Sequence, residues 1–303
     1  MKIQIVTLFL LSLMGHCYNN LIAQMQPLQQ EIETILKKAE MDGAIHTKTT
    51  FSKMENGITC RDVVITDLRG NYIGNTIVFG QEMKVEFRQM RGVEECAQVG
   101  IGFKIFLIND MKDTVAVQKC DGVYYYNERK GVRDCGFFYS TGLPTYSDAT
   151  YIFGCEVSDT KSDKVLVFNS EIKIVPNPWI EVKNEGVSCN EVFIMTGDRG
   201  ERKISTKLSG YGENYLCVAG AKGFVVQDNK ANIGYRIEMI NDANKEVVGK
   251  LLEVSNYILD DVTVDLFKIK LDYYDIVNRN GDACKITMWD NNSNNKLVVY
   301  LKL

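Results

Sequence analysis

The residues able to do chemistry in this chain are few, and their spacing says more about binding than about catalysis. Of two histidines, His16 lies in the N-terminal leader and His46 in a polar lead-in, so histidine-based hydrolysis or a multi-histidine metal site has almost nothing to work with. Nine cysteines show no C-x-x-C spacing, which argues against zinc. Carboxylates cluster at Asp260-Asp261 and at Asp272 with Asp275. Each pair borders strand-like sequence without a sign of convergence, and exposed turn acids are the simpler account. Asp290 to Asn295 is rich in oxygen ligands but lacks the glycine and terminal glutamate of a calcium loop, and Asp159 to Asp163 fills the same place earlier in the chain. Both read as hairpin loops. No enzyme, cofactor or metal is expected.

The remaining candidate is aromatic. The stretch CDGVYYYNERKGVRDC, from Cys120 to Cys135, is followed by Phe137-Phe138-Tyr139. Tyr124, Tyr125, Tyr126, Phe137, Phe138 and Tyr139 offer flat faces suited to stacking on sugar rings or to a protein contact. Strands are also rich in such residues, so the cluster is open to a core reading as well. Cys120 and Cys135 flank the loop at a spacing where a disulfide would contribute about 3 kcal/mol.

The elements that would position these residues come in duplicate. NGITCRDVVITDLRG, from Asn56, meets EGVSCNEVFIMTGDRG, from Glu185, with Gly57 matching Gly186 at an offset of 129. IGFKIFLIND from Ile101 meets IGYRIEMIND from Ile233 at 132. Cys155-Glu156-Val157-Ser158 meets Cys284-Lys285-Ile286-Thr287. These matches put Cys60 over Cys189 and Cys155 over Cys284. A period this long makes each copy a domain.

Within each copy, Lys84 to Phe87, Phe103 to Ile108 and Glu171 to Ile174 alternate with the period of a half-buried strand. Polar breaks such as Asn109 to Asp113 and Asn241 to Lys245 separate the strands. The expected fold is all-β: two tandem immunoglobulin-like or jelly-roll β-sandwich domains, residues 48–175 and 179–303, joined by the stiff linker 176–178 (Pro176-Asn177-Pro178). Residues 24–47 precede them as a helix and lead-in. There Leu28, Ile32, Ile35, Leu36 and Ala39 form one apolar stripe, which either docks on the first sandwich or serves as an oligomer seam.

Residues 1–23 have the layout of a secretory signal: Lys2, the apolar run Ile5 to Met14, and a cleavage position after Ala23. The run is too short to span a bilayer. Lipid attachment at Cys17 is disfavoured by His16, which is too large for the position before a lipoprotein cysteine. A secreted, periplasmic or cell-surface protein of a Gram-negative bacterium is expected. A formal net charge of -4 without a basic run gives no footprint for nucleic acid.

The order Gly57-Ile58, Asp62 to Ile65, Asp67 to Gly70, Phe79-Gly80-Gln81-Glu82, Met83 to Phe87, Gly102 to Ile105 and Asn109-Asp110 resembles the immunoglobulin-like jelly-roll module at the C-terminus of the ATP-binding subunit of O-antigen transporters. The resemblance covers about the first half of each copy and implies a glycan-binding role. This chain departs from that family in being exported and in lacking a nucleotide-binding domain, so no coupling to transport is implied. Two function classes follow. One is an exported, non-catalytic glycan-binding protein acting through the first copy; the other is a structural or adhesion protein that binds envelope proteins. The oligomeric state is not encoded legibly.

Overall fold

A computed structural model describes residues 51–93, 101–121, 123–125, 133–159, 162–198, 201–228, 230–259, 266–277 and 281–303. The helix expected within 24–47, the leader, Tyr126 and Asp260-Asp261 lie outside the described residues. The protein is all-β. The first copy contributes β1 (Phe51–Asn56), β2 (Asp62–Asp67), β3 (Thr76–Val78), β4 (Glu82–Met90), β5 (Ile101–Ile108), β6 (Thr114–Asp121), β7 (Val123–Tyr125), β8 (Arg133–Ser140), β9 (Ala149–Asp159) and β10 (Val165–Val175). The second contributes β11 (Ile180–Glu185), β12 (Glu191–Asp198), β13 (Glu201–Ser205), β14 (Glu213–Ala219), β15 (Val226–Gln227), β16 (Lys230–Ile240), β17 (Val247–Leu259), β18 (Leu266–Leu271), the short helix α1 (Tyr273–Val277), β19 (Ala283–Asp290) and β20 (Lys296–Lys302).

Each copy builds a corresponding pair of sheets, alike in their central strands and different at their edges. Strand order β1-β10-β9-β5-β6 in one copy is answered by β11-β20-β19-β16, with β17 on β16, in the other. The partner sheets run β2-β4-β8-β7 and β13-β12-β14-β18. Alternation explains the cores: β5 buries Ile101, Phe103, Ile105 and Leu107 on one face, as its sequence pattern requires. The first copy packs an aromatic core, with Phe103 5.2 Å from Phe137 and Phe87 edge-on to Phe168 at 6.1 Å. The second is mainly aliphatic, built on Ile194, Leu216, Ile233, Ile269, Ile286 and Val299.

The register corrects one expectation. Ile105 pairs with Cys155, whereas its counterpart Ile237 pairs with Ile286. Cys155 therefore lies over Ile286, and Cys284 over Phe153, two residues away from the sequence match. A strand with period-2 burial resembles itself after a two-residue slip, so the sequence match could not tell the two registers apart.

Residues Thr50–Leu303 form one compact unit. The copies meet where the sheet of β12 and β14 presents its second face: Phe193, Cys217 and Ala219 join the core of the first copy. Phe79 and Phe193 sit 5.7 Å apart. Ile204 enters between Gly80 and Gly142; a Cβ at either glycine would fall 2.9 or 2.7 Å from its side chain. Polar links lock the edge, with Ser147 N donating to Glu191 Oε2 at 2.7 Å and Lys203 pairing with Glu82 at 3.0 Å. In the linker, Asn177 is buried and donates to Thr206 O at 2.9 Å.

Candidate functional site

The aromatic candidates separate by strand phase. Phe137 and Tyr139 point inward from β8 and are buried, so they serve the core, while Phe138 between them is exposed. Burial pushes the Tyr139 hydroxyl up to about 12. Tyr124 and Tyr125 lie on β7, beside Cys135 and Asp134. The expected Cys120–Cys135 disulfide is not formed: Cys135 is a free thiol in the core, 2.7 Å from Met90 Sδ, and Cys120 lies on β6 of the other sheet. Burial also raises the thiols of Cys135, Cys217 and Cys284, the last two to about 12, so none supplies a thiolate near neutral pH.

The polar candidates are structural. Asp272 Oδ1 accepts from the backbone N–H groups of Tyr274 and Asp275 and so caps α1. Asp290 is buried and accepts from Val225 N, Asn292 N and Ser293 Oγ. Asp159 accepts from Ser162 Oγ in the matching hairpin. Among the described residues no group of three or more His, Cys, Asp or Glu could hold a metal ion, and no helix is long and apolar enough to cross a membrane.

A groove of about 600 Å³ lies at the junction, between β5 and β6, the end of β8 and the β13 residues Arg202, Lys203 and Ile204. Its cations are engaged already, Arg202 with Glu213 and Lys203 with Glu82. Apolar Ile105, Leu107, Val115 and Leu143 share the lining with polar Gln118, Ser140 and Thr141.

The outer face of the β11-β20-β19-β16 sheet is different in kind. There Trp289 projects from β19 opposite Gly234 of β16. The indole lies so close over this glycine that a Cβ there would fall 2.3 Å from the ring. One ring face thus rests on backbone and the ring lines a groove of about 300 Å³. Its Nε1 donates to Asn291 Oδ1 at 2.8 Å, and Asn291 Nδ2 donates in turn to Asn232 Oδ1 at 2.8 Å and to Ser255 O at 2.7 Å. The indole is thereby fixed in orientation.

Alongside Trp289 the groove is lined by Arg236, Thr287, Lys285, Lys296, Glu185 and Tyr300. Arg236 and Thr287 are direct cross-strand partners. Thr287 is 8% exposed and its hydroxyl has no hydrogen-bond partner among the described residues. Arg236 Nε sits 3.2 Å from Glu238 Oε1, close enough for attraction but misaligned, so its N–H also makes no hydrogen bond. Two buried, unsatisfied polar atoms side by side are unusual in a folded protein. Tyr300 is unavailable for stacking, because Lys183 and Lys245 each sit 4.8 Å from its ring centre. Trp289 is the other aromatic ring that lines this groove.

The equivalent face of the first copy has diverged: by strand register Lys104, Glu156 and Ser158 stand where Arg236, Thr287 and Trp289 stand in the second. Sequence reasoning overlooked this face because it looked for clustered aromatics. The available signal was subtler. In Cys284-Lys285-Ile286-Thr287-Met288-Trp289 the inward positions are Cys284, Ile286 and Met288, so Trp289 falls in the outward, polar phase.

No protein-family profile matches the chain, and no curated protein does. Among solved structures, similarity extends to a chain described as pT26-6p, 8% identical over 84% of this chain, with a TM-score of 0.25. This chain spans 66% of its length. A DUF3823 family protein from Bacteroides ovatus is 10% identical, with 68% of this chain and 91% of that one covered and a TM-score of 0.15. Overlaps of that quality carry no argument about function.

Proposed function

We propose that this chain is an exported, non-catalytic glycan-binding protein built from two tandem β-sandwich domains, and that its contact surface is the Trp289 face of the second copy. The observation that carries this reading is the indole held over Gly234 in a groove also lined by Arg236, Lys285 and Lys296. A pyranose ring offers an apolar face for stacking and a rim of hydroxyls that both donate and accept. The leader makes a surface or periplasmic location the natural setting. A glycan array with the mature chain, followed by titration of the best hit, tests it. Trp289→Ala should weaken binding at least about tenfold, equivalent to ~1.4 kcal/mol, while shifting Tm by no more than about 4 °C. An empty array, or a hit whose affinity ignores Trp289, refutes the reading.

A second reading, a structural or adhesion protein that binds envelope proteins, draws support from the fixed junction and the groove beside it. Crosslinking on intact cells with a photoreactive residue at exposed Val117 tests that reading. One discrete protein adduct is the expected result, and none counts against it.

A further inference from the structure

We infer that the Trp289 groove takes an internal stretch of an uncharged, linear glycan, and neither a chain end nor an acidic polysaccharide; this deepens the glycan reading and rests on it. The first support is topological. Every described residue lining the groove belongs to a strand, from Glu185 on β11 through β20 and β19 to Arg236 on β16, and among the described residues no loop lines it. Recognition of a chain end needs a wall that stops the chain, and a bare sheet face offers none. Crossing four adjacent strands spans about 14 Å, the length of a short oligosaccharide lying across the sheet.

The second support is electrostatic. The three cations of the face share two carboxylates: Lys296 lies 2.9 Å from Glu185, while Arg236 and Lys285 both sit beside Glu238, at 3.2 and 3.9 Å. An anionic sugar in contact with Arg236 or Lys285 would sit beside Glu238, which is 8% exposed and poorly screened. Hydroxyls face no such conflict. They donate to Glu185 or Glu238 and accept from Arg236, Lys285 or Lys296 without disturbing a pair.

The test uses the full mature chain in isothermal titration against neutral cello-, xylo- and malto-oligosaccharides of increasing length. The same oligosaccharides with borohydride-reduced ends, polygalacturonate and heparin complete the probe set, each at about 0.05 and 0.5 M sodium chloride. For at least one neutral series, affinity should rise about tenfold or more from one ring to three and then level off. It should be indifferent to reduction of the end at full length, change less than about twofold with salt, and vanish in Trp289→Ala. Tight binding of a monosaccharide, a need for the intact end, or salt-sensitive binding of the acidic chains overturns the inference. If those modes still depend on Trp289, the broader glycan reading survives. Failure of all three neutral series also overturns it, and the glycan array then decides separately whether the broader reading falls too.

Discussion

At the scale of single residues, position within the strand period decides what an aromatic does. The tyrosine-rich stretch drew attention because it is dense, yet Phe137 and Tyr139 occupy inward positions and only Phe138 between them is exposed. Trp289 is solitary and turned outward, and density could not reveal it. Its orientation depends on Gly234, whose backbone is ordinary and whose only demand is space. Gly234→Ala should therefore displace the indole, lower glycan affinity about as much as Trp289→Ala, and shift tryptophan emission while the protein stays folded; unchanged affinity and emission would show that the platform does not rest on Gly234. Glu191 supplies a prediction of the opposite kind. It is buried at the junction, and burial raises its carboxyl above the ordinary value, opposed by hydrogen bonds from Ser147 and Val192. The folded state thus binds this proton more tightly than the unfolded state. Its contribution is most favourable below the unfolded carboxylate pKa of about 4.3 and declines as pH rises through the elevated folded value. Glu191→Gln should accordingly raise Tm at pH 7, with the gain closing toward pH 4. A lower Tm at pH 7 would mean that the charge is worth more than its desolvation costs.

At the scale of elements, the sequence was most informative where backbone geometry leaves no substitute. Gly57 and Gly186 recur because each takes a positive φ, and each presents its carbonyl to a second glycine that must approach closely. A Cβ at Gly92 would fall 1.8 Å from Gly57 O, and one at Gly223 would fall 2.2 Å from Gly186 O. All four have positive φ. The same corner is closed from outside by Lys164 Nζ donating to Gly92 O at 3.1 Å and by Asn295 Nδ2 donating to Gly223 O at 2.8 Å. Gly92→Ala and Gly223→Ala each combine strain at positive φ with a backbone clash, and each should cost roughly 2–4 kcal/mol in chemical denaturation. A loss below about 0.5 kcal/mol would mean that the corner opens freely. Strand existence and the hairpin turns were legible for the same reason: alternation and polar breaks are local. Register was not, because a half-buried strand matches itself after a two-residue slip, as Cys155 and Cys284 show. Nor was the crowding of irregularities on β17, whose pairing with β16 shifts three times. Such bulges distort an edge strand and discourage addition of a further strand, even though Val248, Leu252 and Ile258 are exposed there.

At the scale of the whole molecule, the duplication is unequal. The linker Pro176-Asn177-Pro178 reads in sequence as a stiff connector between two independent domains, but the strands on either side are fused by side chains. The clue was the unbroken apolar run Val192-Phe193-Ile194-Met195, where the first copy has the more polar Val63-Val64-Ile65-Thr66. A strand covered on both faces needs such a run. Phe193, Cys217 and Ala219 complete the core of the first copy, whereas the described core of the second contains only its own residues. Dependence therefore runs one way. The intact protein should unfold in a single calorimetric transition, and Phe193→Asp, which puts a charge against Phe79, should split it. The lower step would belong to residues 51–175, which lose part of their core; the upper step would belong to residues 180–302, whose core is untouched. The two tryptophans, Trp179 and Trp289, both lie beyond the linker. Tryptophan emission in the variant should therefore ignore the lower step and follow the upper one. If emission and heat absorption still change together in one transition, each copy depends on the other equally and the one-way account is wrong.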